Sequence, residues 1–346
     1  MVAPNRTFNL PYLQHEHYRL SVVFPDGKSP PSLIASMLAF EFTSVTGNDF
    51  SLSTANWQAA FALIRPTLSA IDKSLQPEIS LFCGLDEIEI HKTFADMCAL
   101  ADSVWLGEAL QSSRLVCYMQ PVCAASGDVM GYESFARVQM SDGSVLAGDK
   151  IMQAGKILSI EFAMDKFLHT QAIATFAKHN FSGDLFVNFF PGFIQRPAIY
   201  LEGLLAAAEH YHIPPSRLVL DLTQSETRSD VSHLAKVCEY AKTQGCKIAL
   251  DDVESLTSAR KLLPITKADF IKIDRDLVHK AHQPGEGLII ASMVELAAEH
   301  GAKTIGEGVE TPSQLTALVA HGVDFFQGYH FAAPMAAEQM LSQKAS

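Results

Sequence analysis

The feature that most constrains this chain is a rhythm beginning near residue 113. Short apolar runs alternate with amphipathic segments, and the apolar runs keep ending on acids or amides. The runs are "LVCYMQPV", "DVMGYESFARV", "LFVNFF", "LVLDLT", "KIALDDV", "FIKID", "KTIGEGVE" and "DFFQGY". Continuous apolar runs of this length read as strands buried on both faces. Between them lie helical patterns such as "MDKFLHTQAIATFAKHN", "SHLAKVCEYAKTQG" and "GLIIASMVELAAEHG", two of which stop on a glycine, a common helix end. Such alternation builds parallel βα units, and eight strands in roughly 230 residues predict an α/β fold of (β/α)8 TIM-type barrel at 113–346.

The stretch "KIALDDVES" poses the chemical question, because a buried strand ends there on two adjacent acids, Asp251 and Asp252. Neighbouring carboxylates repel, and burying them is costly unless a cation or a proton compensates. The other strand ends carry Glu133, Asn188, Asp221, Glu307 and Gln327, with Lys272 inside "FIKID". Barrel active sites are assembled on that carboxyl rim. Any one such acid is more often a solvated end or a helix cap than a ligand. Six oxygen-donor residues on successive strands are harder to dismiss, and they suit Mg²⁺, Mn²⁺ or Ca²⁺. An Asp shared between two ions, with a second Asp beside it, suits two-metal phosphoryl displacement. Lys272 reads equally well as a charge partner or as a catalytic group.

Residues 1–112 keep a different rhythm and read as a small α+β domain without a chemical motif. "YRLSVVF" and "EISLFC" read as strands, "PDGKSPP" as a turn, and "LDEIEIHKTFADMCALADSVWLGEAL" as mostly helical. The apolar segment 32–42 fits helix or strand, and Pro66 interrupts helical segments around it. His15 and His17 read as loop residues, because no carboxylate–cysteine cluster joins them. The domain is expected to be regulatory or dimer-forming, with a possible protein partner.

A net charge of −12 argues against binding DNA, RNA polymers or an anionic membrane surface. No apolar run reaches the roughly 18 residues of a membrane span, and no signal pattern opens the sequence. The six cysteines form no C-x-x-C pair and read as reduced thiols of a cytoplasmic protein.

Residues from about 113 to 342 resemble the EAL domain, the cyclic di-GMP phosphodiesterase family. "YMQPVCAASGDVMGYESFAR" is similar to its Q-P-I…G-x-E-A-L-x-R opening, and "IALDDVES" stands where the family has A-L-D-D-F-G-T-G. "LFVNFFP" matches the strand ending in Asn, and "LVLDLTQSE" stands where the family has E-I-T-E. "ADFIKIDRDLV" and "GAKTIGEGVETPSQLTALVAHGVDFFQGYHFAAPM" follow its later motifs. The resemblance implies a modified barrel that cuts cyclic di-GMP to linear pGpG with two divalent cations, Mg²⁺ or Mn²⁺, in a homodimer. Glu133, Asn188, Asp221 and Asp251 would hold one ion, and Asp251, Asp252 and Glu307 the other. Lys272 would orient the attacking water, with Glu307 the alternative proton acceptor. Gln120, Phe135, Arg137 and Gln327 would contact substrate, and Gln224 and Glu310 would support the loops.

The family's E-A-L is Glu-Ser-Phe here, Asp221 replaces a glutamate, and Gln224 replaces the second acid of E-I-T-E. The loop after the paired aspartates reads Glu254-Ser255-Leu256, without the family's two glycines, which permit backbone that Ser and Leu accept poorly. These departures leave an alternative reading, a degenerate domain that binds cyclic di-GMP or a protein without hydrolysis. A third, enolase-like reading of Lys272 as a proton-abstracting base fits the tandem aspartates poorly.

Overall fold

The computed structural model describes residues 18–23, 43–46, 49–54, 78–83, 88–92, 94–103, 105–112, 114–140, 142–190, 197–223 and 231–344. Contacts divide the chain into two compact units, 1–115 with 138–164, and 116–137 with 165–346.

The first unit holds a five-stranded sheet of β1 (Tyr18–Val23), β2 (Thr43–Thr46), β3 (Asp49–Thr54), β4 (Glu78–Cys83) and β5 (Ile88–Lys92) in the order β2-β3-β1-β4-β5. Its pairings are all antiparallel. β1 and β4 are the two strands expected from sequence. The stretch 85–110 is mostly helical as expected, with helices at Phe94–Ser103 and Trp105–Gln111, but its early residues Ile88–Lys92 form a strand paired with β4. "IEIHK" begins as an apolar–polar alternation, the period of a half-buried strand. The turn at 25–31, the apolar segment 32–42, the helices around Pro66, and His15 and His17 lie outside the described residues. Helix Gly148–Ile157 packs on Phe94–Ser103, burying Ile151 and Ala154 in the same unit as Leu100, Leu106 and Leu110.

In the second unit, β6 (Leu115–Cys123), β7 (Val129–Gln139), β9 (Asp184–Phe189), β10 (Leu218–Thr223), β11 (Lys247–Val253), β12 (Phe270–Ile273), β13 (Lys303–Gly306) and β14 (Phe325–Phe326) close into a ring. Two short strands continue the sheet, β15 (Met335–Ala336) on β6 and, within the first unit's stretch 138–164, β8 (Val145–Leu146) on the end of β7. Pairing from β7 through β9 to β14 is parallel, but β6 runs antiparallel to β14 and β15. This is the modification of the barrel, and it corrects the uniformly parallel alternation. β6 and β7 are joined by a tight turn in which Ala124 N–H donates to Asp128 O, too short for a parallel crossover.

The ring interior explains the polar rim. Val122, Phe186, Val219, Ala249, Phe270 and Ile305 form one apolar cluster, with Met130 and Phe325 packed against it, so every ring strand contributes a residue. Side chains two apart on a strand share a face. Two residues toward the rim from these stand Gln120, Asn188, Asp221, Asp251, Lys272, Glu307 and Gln327. Only on β7 is the offset different, with Glu133 three positions beyond Met130. Among the described residues no helix is long and apolar enough to cross a membrane.

Candidate active site

Lys272 is the centre of the polar layer. Only 1% exposed, its ammonium donates to Asp221 Oδ2 at 2.7 Å, Asp251 Oδ1 at 2.8 Å and Glu133 Oε2 at 3.0 Å. Glu307 Oε1 stands 2.8 Å from the same nitrogen. Burial opposes the ammonium charge, but the four carboxylates outweigh it and hold the lysine pKa well above its ordinary range. Burial and then Asp251 push Asp221 well up, against the pull of Lys272, and burial does the same to Glu307. Partial burial and the adjoining Asp251 raise the Asp252 carboxyl to about 6. One cation therefore serves several acids, and the balance of charge invites more cations or protons.

A regular strand would send Asp251 and Asp252 to opposite faces. Here the register of β11 against β12 shifts between Leu250 and Val253, and Asp252 takes φ 52°. Such a bulge re-aims a side chain, and Asp is among the residues that tolerate the left-handed region. Oxygens of Asp251, Asp252 and Glu307 consequently lie within 4.8 Å of one another. The concern over the missing loop glycines is also corrected. Among the described residues, neither Glu254 nor Leu256 has positive φ, and Ser255 is extended (φ −150°) with its hydroxyl accepting from Ser258 N–H at 3.3 Å. Serine is a favoured cap, so it starts helix Leu256–Thr266.

A cavity of about 440 Å³ opens over this layer, and Glu133, Asn188, Asp251, Asp252, Lys272 and Glu307 line it. Gln120, Phe135, Gln327 and Glu310 line it too. Gln327 donates to Glu133 Oε2 at 2.8 Å and to Gln120 Oε1 at 3.1 Å, and Gln120 donates to Ala332 O at 3.0 Å, tying β6, β7 and the chain's end into one network. Asp221 is fully buried beneath the cavity rather than lining it. Arg137 is also absent from the lining. Its guanidinium stands over the rings of Tyr118 (5.7 Å) and Phe135 (5.6 Å) and donates to Ala136 O. Gln224 lies outside the described residues. Sequence reasoning missed Arg275 and Tyr329, both of which line the cavity. Their signal was position alone: one follows "KID", the other sits in "QGY".

The residues present fit a hard divalent cation. The donors are all oxygens, and Asp221 Oδ1 and Gln327 Oε1 are buried without a hydrogen-bond partner among the described residues. The family model for the EAL domain matches residues 103–334. This chain belongs to the EAL domain family. Its EAL domain is 28% identical over 252 residues to RocR of Pseudomonas aeruginosa, a cyclic di-GMP phosphodiesterase, covering 71% of this chain and 63% of the relative. It is 26% identical over 254 residues to MucR of the same organism, a bifunctional diguanylate cyclase/cyclic di-GMP phosphodiesterase, covering 69% and 36%. The chain thus spans about a third to two thirds of these curated relatives. A standalone EAL protein from Vibrio cholerae, solved with c-di-GMP bound, is similar at TM-score 0.56 and 26% identity over 64% of this chain and 93% of that one.

Proposed function

We propose that the EAL domain cleaves one phosphodiester of cyclic di-GMP, giving linear pGpG. The observation that carries this reading is the convergence of Asp251, Asp252 and Glu307 oxygens, beside Glu133 and Asn188, over one cavity. Asp251, Asp252 and Glu307 would hold one divalent cation, Mg²⁺ or Mn²⁺, and Glu133, Asn188, Asp221 and Asp251 a second. Bound there, such ions lower the pKa of a water and neutralise charge on the attacked phosphate.

The chain's own groups do the rest. Lys272 stays protonated among its carboxylates and sets their spacing, holding Asp221, Asp251 and Glu133 at 2.7–3.0 Å. Glu307, its carboxyl raised by burial, stands at the rim to accept the proton of the nucleophile. Gln327 donates to Glu133 Oε2, the oxygen that Lys272 also holds, and is itself braced by Gln120 Oε1, so two donors anchor that carboxylate.

The experiment is incubation with cyclic di-GMP, with product resolved as pGpG or GMP. Turnover to pGpG with Mg²⁺ or Mn²⁺, abolished by excess chelator, is expected. Undiminished turnover in chelator overturns the two-metal mechanism. Calorimetric binding without turnover replaces the reading by that of a non-hydrolytic receptor, and neither binding nor turnover refutes both.

A further inference from the structure

A dianionic dinucleotide must enter a cavity lined by five acids, Glu133, Asp251, Asp252, Glu307 and Glu310, so the position of free positive charge matters. Among the described residues lining the cavity, the cations are Lys272 and Arg275. The three N–H groups of Lys272 are fully occupied by the carboxylates at 2.7–3.0 Å, and it is 1% exposed. The guanidinium of Arg137 is engaged with two rings and Ala136 O, outside the lining. Arg275 differs from both. Its side chain is 74% exposed, and its ion pair is a long contact of Nε to Asp276 Oδ1 at 4.0 Å.

Arg275 is also held in place by its backbone. It opens the short helix Arg275–His279, which Asp274 caps by accepting from Asp276 N–H at 2.7 Å. Glu307 N–H donates to Ile273 O just before it, and a ring nitrogen of His279 lies 3.0 Å from Gly308 O just after it. Gly308 has φ +64°, and a Cβ there would stand 2.6 Å from Arg275 Cβ. The absence of that Cβ lets the arginine stem lie directly against the Glu307–Gly308 backbone, one residue from a proposed metal ligand.

We propose that Arg275 is the guanidinium that contacts a phosphate of the bound substrate, in place of Arg137, for which the resemblance implies a substrate contact. An arginine fork matches two phosphate oxygens, and as an exposed group it can also draw the anion in. This assignment rests on the cyclic di-GMP reading above.

The test is steady-state hydrolysis of cyclic di-GMP by the full chain with Arg275→Ala, Arg275→Lys and Arg275→Gln. Arg275→Ala is expected to raise KM roughly 10- to 100-fold, the range for one charge-assisted hydrogen bond, with kcat changed less than about threefold. Arg275→Lys should recover part of the loss and Arg275→Gln little. The KM effect should shrink as salt rises, because the group is exposed. Melting temperatures of the variants should match the parent. An unchanged KM for Arg275→Ala, in a parent that cleaves, overturns the inference while leaving the proposed function intact. If the parent binds but does not cleave, the same loss is expected in calorimetric affinity. If the parent does neither, the proposed function fails and the inference falls with it.

Discussion

Replacing Lys272 by methionine keeps the length of the side chain and removes its charge and donors. Four carboxylates then lose the cation they share, two of them, Glu133 and Asp221, nearly or fully buried. Breaking a buried pair by deleting one partner costs about 3–5 kcal/mol. In a unit of this size each kcal/mol is worth about 2–4 °C, so the melting temperature should fall by about 6–20 °C in chelator at pH 8. The sign with pH follows from the carboxyl groups. Asp221, Glu307 and Asp252 are already raised in the folded state, and without the ammonium they rise further. A raised carboxyl contributes stability that is full below the ordinary range and is lost as pH climbs through the folded value. The deficit of the variant is therefore expected to be greatest at pH 8 and to shrink toward pH 5. Added Mn²⁺ should recover more of the loss than it adds to the parent, because the ion takes over the vacant charge. Thermal unfolding followed by circular dichroism, at both pH values with and without metal, gives the comparison. A variant melting within a degree or two of the parent at pH 8 in chelator would show that the lysine is not the counter-ion described.

Asp221→Glu restores the family's longer acid; it should raise activity at low Mg²⁺ more than at saturating Mn²⁺, and a loss at every metal concentration would mean the buried site has closed around aspartate. Asp165, 2% exposed with Oδ2 unpartnered among the described residues, has its carboxyl pushed up to about 6 by burial, against the pull of His169 3.5 Å away. Its stability contribution is full below about pH 4 and lost as pH passes 6, so Asp165→Asn should melt higher than the parent at pH 8, by up to about 3 kcal/mol, and equally at pH 4. Finally, a truncation beginning at Phe94 keeps the helices that pack on Gly148–Ile157, whereas one beginning at Arg114 strips them. The first should melt at the higher temperature; equal melting would separate 138–164 from that helical layer.

The ring strands and their rim acids were legible because their determinant is local: a short continuous apolar run that ends on a polar residue. The tandem aspartates were legible as a problem but not as a solution, since the solution is a bulge between strands that only pairing creates. The loop after them was misjudged because comparison with glycines spoke of backbone freedom, whereas Ser255 satisfies the chain by capping a helix. Lys272 could not be assigned from sequence, because its role depends on four partners brought from three other strands and from the segment just after β13. Arg275 was invisible for a similar reason: nothing in "KIDRDLV" reports that Gly308 lies against it. The mostly helical reading of 85–110 held except at "IEIHK", where a short alternating strand adjoins true helix and a window spanning both averages them.

The antiparallel β6 has a consequence for how the molecule is made. It is the first ring strand to leave the ribosome, yet it closes against β14 and β15, the last. Gln120 waits for the carbonyl of Ala332, 212 positions later, an interval of about 10–40 s at ordinary synthesis rates. For that time the nascent sheet is an open crescent with two unpaired edges, one on β6 and one on the newest strand. Open edges invite pairing with other chains, so the final few dozen residues act as a latch, and a message truncated just short of them would yield a species built to aggregate.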